Sequence, residues 1–450
     1  MKIKYLVVGL AMLFVKPVMA QEKPDVRTLS LQEAITYALE HNEDMQKASY
    51  DQLSAKYMVK EAKSSGLPQV NAFGNFNMYP AIPVQVIPNV FEGKPDEMIP
   101  VQFGTKYNAN GGIQLSQLLF NQSYFVGLKA AKSSEDLYRL RKTMTEEEVM
   151  YNVSSSYFQI LQTKEQFEII NANLARLDQL NKILQLQYEN DLARKVDVNR
   201  IKVNKTNLET QLQTLTSALD QQMNVLKFFM GMPLEEGIAL TDASITLDTG
   251  AAAFNSSKDL VQGQTQLELL NKQAELTDLQ MQNIKAGYYP TLSATGTYQY
   301  NAMRKEFNFL DTNMPWFKTA IVGVQLNIPI FDGMRKHSQI KQTEYTLKSL
   351  EADRQKLTKN LEVALENSIS QLQNSSSSIA AQEQNVALAQ EVYDTTNDLY
   401  KEGISPLTDL LEAEVSLREA KTNLNNEMLK YQLAQLGYLK ATGDLNTLIK

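Results

Sequence analysis

The chain has 450 residues, a formal net charge of −7 and no cysteine. The negative charge argues against nucleic acid as a partner, because binding to phosphates needs clustered basic residues. Without cysteine, a disulfide framework and a thiolate metal site are both excluded.

The first twenty residues have the pattern of a secretory signal peptide. Two lysines precede an apolar run over residues 5–15, and the small residue Ala20 closes the segment. We expect residues 1–20 to be the signal peptide and Gln21 to start the mature chain. After residue 20, no stretch approaches the eighteen or more apolar residues of a transmembrane helix.

A helix is predicted next, because apolar residues recur at helical spacing from Leu31 to Lys63. Ser30 stands at the expected N-cap, and Glu33 follows three residues later, which is the pattern of a capping box.

Alternation of apolar and polar residues then predicts two strands in each half of the chain. The predicted strands cover about 67–79, 107–120, 289–300 and 316–331. A proline-rich loop over 80–100 joins the first two. Strands of about twelve residues suit a tilted bilayer crossing, although a half-buried sheet of a soluble protein would show the same alternation. Five aromatic residues cluster where the girdle at a membrane interface would lie: Tyr79, Tyr107, Tyr298, Tyr300 and Trp316.

Four strands cannot close a barrel, and an open edge in lipid would leave backbone groups unsatisfied, at several kcal/mol each. If the strands lie in a membrane, the chain must therefore pool them with other copies of itself.

Long helices are predicted after each strand pair, over 122–188 and 334–400. The second contains neither proline nor glycine. Its apolar residues fall at intervals of seven, the signature of a coiled-coil seam: Leu365, Leu372, Ile379, Val386, Tyr393 and Tyr400. The first has a similar seam, interrupted by Asn181: Val153, Ile160, Phe167, Leu174 and Tyr188.

A turn and a shorter return helix follow each long helix. In the second turn, Gly403 suits a C-cap, and Ser405-Pro406 suits an N-cap followed by proline.

Short motifs recur between the two halves. Asp197 and Asp409 are 212 positions apart (409 − 197), and Phe120 and Phe331 are 211 apart (331 − 120). Solenoid repeats are only about 20 to 50 residues long, so we infer duplication of a whole domain. The predicted organisation is a first repeat over 21–231, a linker over 232–264, a second repeat over 265–443 and a tail over 444–450.

In this order and spacing, three motifs resemble those of the TolC-type outer-membrane efflux family along essentially all of the mature chain. They are Gly66-Leu67-Pro68, the Ile330-Phe331-Asp332-Gly333 junction and the tip from Tyr400 to Glu412. The resemblance implies a mainly α fold with a small transmembrane β part. It also implies a homotrimer, in which an α-helical barrel is continued by a 12-stranded β-barrel with four strands from each protomer. Residues 232–264 and those after Gly443 would form a belt around the helical tunnel.

The resemblance further implies a passive exit duct in the outer membrane of a Gram-negative bacterium, with the helices in the periplasm. Its partners would be outer-membrane lipid, a periplasmic adaptor (membrane fusion protein) and an inner-membrane pump. The pump would be a resistance-nodulation-division or ATP-driven pump of an efflux or type I secretion system. We expect no enzymatic activity, cofactor or metal, since only His41 and His337 could serve as histidine bases or ligands. A secreted periplasmic coiled-coil protein, such as an adaptor, is the alternative.

Asp409 and Glu412 are the candidate constriction, because residues at i and i+3 share a helix face and three-fold symmetry would form carboxylate rings. The resemblance assigns these two to the acidic entrance, and Tyr400, Asp197 and Tyr188 to the network that holds it shut. Alternatively, the two acids only favour a helix N-terminus through the macrodipole.

The chain departs from the family pattern at position 405, where serine replaces an arginine that would pair with the acids. Arg194, Lys195 and Lys401 are the candidate substitutes. The adaptor is expected to dock on the two turns: Asn190, Asp191, Leu192, Arg194, Lys195, Glu402, Gly403, Ile404, Ser405 and Pro406.

Overall fold

The computed structural model describes residues 27–241 and 259–449. The predicted signal peptide and residues 242–258 of the predicted linker lie outside this part of the chain. The described residues form two compact units. We call the unit of residues 27–46, 146–241 and 364–449 the helical unit, and that of residues 47–145 and 259–363 the sheet unit.

The sheet unit contains a four-stranded antiparallel sheet in the order β2-β5-β7-β8. Its strands are β2 (Gln69–Met78), β5 (Tyr107–Phe120), β7 (Thr291–Arg304) and β8 (Phe317–Asn327). All four lie where the alternating sequence predicts them. The two predicted hairpins form, and β5 pairs with β7 to join them into one sheet.

The register places the apolar residues of neighbouring strands opposite one another. Val70 pairs with Leu115, and Val324 with Ala294. On the other face, Asn75 pairs with Asn110. The apolar face carries exposed side chains, and Val322 is 90% exposed. In the described residues, β2 and β8 each pair along only one edge.

The proline-rich segment between β2 and β5 is a second hairpin and not the predicted loop. β3 (Val84–Asn89) pairs with β4 (Lys94–Gln102) in a separate two-stranded sheet. Valine and isoleucine favour an extended backbone. Proline, which lacks an N–H, is tolerated where a strand has a free edge, and both strands contain it, as at Pro88 and Pro100.

The predicted helix over 31–63 is broken. It forms as α1 (Leu31–His41) and α2 (Glu43–Ser64), with Asn42 in an extended conformation between them. The capping box of Ser30 and Glu33 is confirmed. The Asn42 side chain accepts hydrogen bonds from two backbone N–H groups of the next turn and donates one to the Phe229 carbonyl oxygen. These bonds compete with helix continuation and explain the break.

The long and return helices agree closely with the prediction. The long helices are α3 (Gln122–Glu189) and α7 (Arg335–Lys401), and the return helices are α4 (Lys195–Met230) and α8 (Leu407–Thr442). Most of the predicted seam side chains are buried or half-buried, but Tyr188 is exposed. A one-turn helix, α5 (Asp259–Gln262), and a longer one, α6 (Thr265–Ala286), precede β7. Among the residues described, no helix combines the length and apolar composition that crossing a membrane requires.

One end of the helical unit holds a core made from distant parts of the chain. A parallel strand pair, β1 (Arg27–Leu29) with β6 (Ile238–Leu240), lies here and was not predicted. The buried Tyr157 hydroxyl donates to the Leu29 carbonyl oxygen over 3.1 Å. The core also draws residues from α1, α3, α4, α8 and the final 3-10 helix Leu445–Ile449: Ile35, Met150, Ile160, Leu226, Leu436 and Leu445.

Candidate gate at the turns of the helical unit

The two turns that end the long helices have the same backbone. Asp191 has φ +60° and Gly403 has φ +74°, and the two are 212 positions apart (403 − 191), the offset of the duplication. After each, a backbone N–H reaches back to a carbonyl oxygen of the last helical turn: Leu192 to Gln187 over 2.8 Å, and Ile404 to Leu399 over 2.9 Å. These bonds satisfy carbonyl groups that a helix end leaves free.

The start of α8 differs by one residue from the prediction. Pro406, and not Ser405, occupies the N-cap position, and the first helical residue is Leu407. Pro406 is extended and supplies no side-chain cap. The Ser405 hydroxyl instead donates to the Asp409 carboxylate over 3.2 Å, because that acid lies one turn into the helix and accepts strongly.

Asp197, in the first turn of α4, is buried and neutralised by two arginines. Its carboxylate lies 3.0 Å from Arg194 Nε and 3.5 Å from Arg200 Nη1. Burial of the Tyr400 hydroxyl, and secondarily the Asp197 charge, raise the pKa of Tyr400. The structure thus brings two of the predicted gate residues close enough to interact. The phenol of Tyr400 packs against an apolar cluster that includes Leu407 and Val198.

Asp409 and Glu412 are exposed on α8. The Ser405 and Thr408 hydroxyls donate to Asp409 over 3.2 and 3.3 Å. Within the part of the chain that the structure describes, neither acid forms an ion pair. The two acids therefore keep their charge toward solvent.

Two of the three proposed substitutes for the missing arginine have other partners within the chain. Arg194 pairs with Asp197, and Lys401 pairs with Asp398 over 3.0 Å. Each cation has an acid three residues away on its own turn, so pairing of either one with Asp409 or Glu412 stays a prediction. Tyr188 is exposed at the end of α3, where its carbonyl oxygen accepts from the Asp191 N–H.

Sequence reasoning missed Glu414, a buried acid on α8. It lies four residues after Leu410 and three before Leu417, on the same face of the helix, so a charged residue there was a signal in the sequence. Its Oε1 lies 3.7 Å from Arg176 Nε on α3. Burial raises the pKa of Glu414 to about 7, and the charges of Arg176 and Arg418 oppose the shift without cancelling it.

Four of the five predicted aromatic residues form ring contacts in two groups of the sheet unit. The fifth, Tyr79, donates its backbone N–H to the Lys106 carbonyl oxygen. Tyr298 and Tyr300 contact each other edge to face, with ring centroids 5.7 Å apart. Tyr107 stacks on Phe76, and Trp316 packs against Phe309, both at 6.2 Å. The sequence does not identify Phe76 and Phe309 as the contacts of these aromatic residues. No local pattern shows that the loop before β8, which contains Phe309, folds against the neighbouring strands.

Among the described residues, no group of three or more histidine, aspartate or glutamate side chains is placed to hold a metal.

Comparison with known proteins gives consistent matches. A family model described as "Outer membrane efflux protein" matches residues 251–444. The outer membrane protein TolC of Vibrio cholerae is 23% identical over 96% of this chain and 95% of its own. The proteases secretion protein PrtF of Dickeya chrysanthemi is 24% identical over 56% of this chain and 54% of its own. The crystal structure of the CmeC outer membrane channel of Campylobacter jejuni has a TM-score of 0.74 at 14% identity, covering 98% of this chain and 94% of its own.

Proposed function

Because the chain belongs to the outer membrane efflux protein family, we propose that three copies form a passive exit duct of a tripartite efflux or type I secretion system. The protein is an outer-membrane protein of a Gram-negative cell, with its helices in the periplasm. A periplasmic adaptor and an inner-membrane pump deliver the cargo, and the chain itself performs no chemistry and binds no cofactor.

The four-stranded sheet is the observation that carries this proposal. One face is apolar and exposed, and within the described ranges β2 and β8 each leave one edge unpaired. In lipid, free edges would be costly, and pairing β2 of one copy with β8 of the next removes them. Three copies give twelve strands, and the apolar face then meets the hydrocarbon.

A pair of neighbouring substitutions tests the sheet's orientation. Val324 and Gln325 lie on opposite faces of β8. We expect Val324→Lys to hinder membrane assembly, at about 2 to 4 kcal/mol if the site lies near the midplane. Gln325→Lys, facing the lumen, should assemble normally. Membrane fractionation, sizing in detergent and planar-bilayer recording of both variants and wild type provide the measurement. A soluble monomer without conductance would contradict the proposal.

We assign the gate to the turns of the helical unit. Asp409 and Glu412 would line the axis at the periplasmic end, since both carboxylates are exposed on α8. Tyr400 and Asp197, with Tyr188 at the end of α3, would hold the turns together until an adaptor docks on 190–195 and 402–406. Short turns between packed helices can shift at modest cost, whereas a closed barrel cannot.

Cysteine cross-linking tests the docking site directly, because the chain has no native cysteine. Cysteines at Leu192 and Ile404, both exposed, should capture an adaptor in cells. A cysteine at the exposed Leu234 is the control, because it lies in the predicted belt. Capture only at Leu234 would contradict docking at the turns.

A further inference from the structure

Glu414 lies inside the helical unit, two residues after the exposed Glu412 on α8. Only 7% of its surface is accessible. A carboxylate is expensive to bury unless it is paired and hydrogen-bonded. The nearest cation, Arg176, comes within 3.7 Å, which is too long for a hydrogen bond. Among the described residues, neither Glu414 Oε1 nor Arg176 Nε has a hydrogen-bond partner, although both atoms are buried.

The groups that face Glu414 come from four helices. Arg176 approaches from α3, and Arg418 acts on it from its own helix. Tyr393 approaches from α7, where burial and then the Glu414 charge raise the pKa of the phenol. Arg176 is held by Asn173 Oδ1 at 2.6 Å and lies over the Tyr393 ring at 5.4 Å. α4 contributes amide side chains across a cavity: Asn204, Asn207 and Gln211.

The cavity beside Glu414 has a volume of about 260 Å³. Interiors are normally close-packed, so a space of this size leaves room for a side chain or a helix to shift. Glu414, which lines this space, can therefore shift toward Arg176 or away from it without displacing packed neighbours. Leu411, one turn toward the gate, lines the same cavity.

We propose that Glu414 is a positioning residue for the gate, which draws α8 against α3 through Arg176 when it is ionised and releases α8 when it is protonated. α8 carries Asp409 and Glu412, so the position of the helix sets the position of the acidic ring. The inference rests on the proposed function, because this movement matters to transport only if those acids line a pore.

The direction of the pH response follows from the charges. Burial raises the pKa of Glu414 to about 7, so both forms are populated near neutral pH. Above that pH, the carboxylate attracts Arg176 and Arg418 and so holds α8 against α3, although burying its charge lowers the stability of the fold. Below it, the neutral acid no longer attracts either guanidinium, and α8 is free to move.

Planar-bilayer recording from pH 5.5 to 8.5 tests the effect on the pore. We expect the wild-type open fraction to increase several-fold as the pH falls through about 7. Glu414→Gln, which mimics the protonated acid, should show the high open fraction throughout this range. Glu414→Asp should restore a pH-dependent profile. Glu419→Gln removes the same charge from an exposed site on α8 and should behave as wild type.

A distance measurement tests the clamp without relying on conduction. Spin labels on cysteines at Lys182 of α3 and Ser416 of α8, both exposed, should report a wider separation at pH 6 than at pH 8. The Glu414→Gln background should remove this change. A wild-type pH response that persists in Glu414→Gln would overturn the inference. A distance change in a protein that never conducts would instead refute the proposed function and leave the clamp standing.

Discussion

The two turns of the helical unit share a backbone and differ in charge. Asp197 in the first half is buried between Arg194 and Arg200. Its counterpart Asp409 is exposed, and its carboxylate accepts hydrogen bonds from the Ser405 and Thr408 hydroxyls, while Glu412 occupies the position equivalent to Arg200. After duplication, the helix ends kept their geometry because the hydrogen bonds of the turn constrain it. The side chains were free to diverge. The carboxylate of the first turn is now neutralised by arginines, whereas the second turn exposes two acids.

The largest stability effect should come from Glu414, whose counterpart in the first half is the exposed Lys202. The folded state favours the neutral form of Glu414. The stability that this preference contributes is therefore fully present below pH 4.5 and is lost as the pH rises to about 7. The loss corresponds to roughly 3 kcal/mol. We expect Glu414→Gln to melt higher than wild type at pH 8 and to match it near pH 4.5.

Lys202→Gln is the control for that comparison, because an exposed lysine should contribute less than about 0.5 kcal/mol. Melting in detergent across this pH range measures both variants. Equal melting temperatures of wild type and Glu414→Gln at pH 8 would show that the ionised carboxylate is not costly to bury.

Asp197 should be the next most sensitive position. Asp197→Asn removes charge-assisted hydrogen bonds from a buried group, which we expect to cost about 1 to 2 kcal/mol. Because Arg194 is largely exposed, solvent screens its attraction to Asp197 and limits the loss of stability. Asp409→Asn should change stability by less than about 0.5 kcal/mol. Chemical denaturation measures the free energy of unfolding of both variants. Equal losses for Asp197→Asn and Asp409→Asn would contradict the proposed difference between a neutralised turn and an acidic turn.

The turn backbone itself provides a smaller test. Gly403→Ala places a Cβ at φ +74° and should cost about 1 kcal/mol. Asp191→Gly, at the equivalent position of the first turn, should stabilise by a few tenths of a kcal/mol at most, because glycine also gains entropy in the unfolded state. Thermal melts of both variants would reveal whether one turn is under more strain. A stabilising Gly403→Ala would contradict the shared geometry.

The smallest stability change is expected for Asp409→Ala combined with Glu412→Ala. As a ring in a trimer, these acids would repel one another, so their removal should weaken cation selectivity and block by multivalent cations without lowering stability. If they serve only the helix dipole, each loss should cost about 0.3 to 1 kcal/mol and leave conduction unchanged. Bilayer recordings alongside melting distinguish the two roles.

Local patterns in the sequence predict most of the elements. The heptads of α3 and α7, and the alternation of the four main strands, recur over enough residues to define both type and position. The break at Asn42 and the pairing of β1 with β6 depend on partners about 190 to 210 positions away, which no local pattern contains. The position of Glu414 on the same helix face as Leu410 and Leu417 indicated its burial. Its contact with Arg176 was not, since the facing residue on α3 cannot be read from α8 alone.

The core that joins both ends of the described chain has a consequence for assembly. Ile35 of α1 packs in one cluster with Leu436 of α8 and with Leu445. A chain delivered to its compartment from the N-terminus cannot complete this cluster until its last residues arrive. The apolar face of α1 therefore stays uncovered until more than four hundred further residues have been delivered. The helical unit can therefore complete its folding only after these later residues arrive, and until then the apolar face of α1 is open to aggregation.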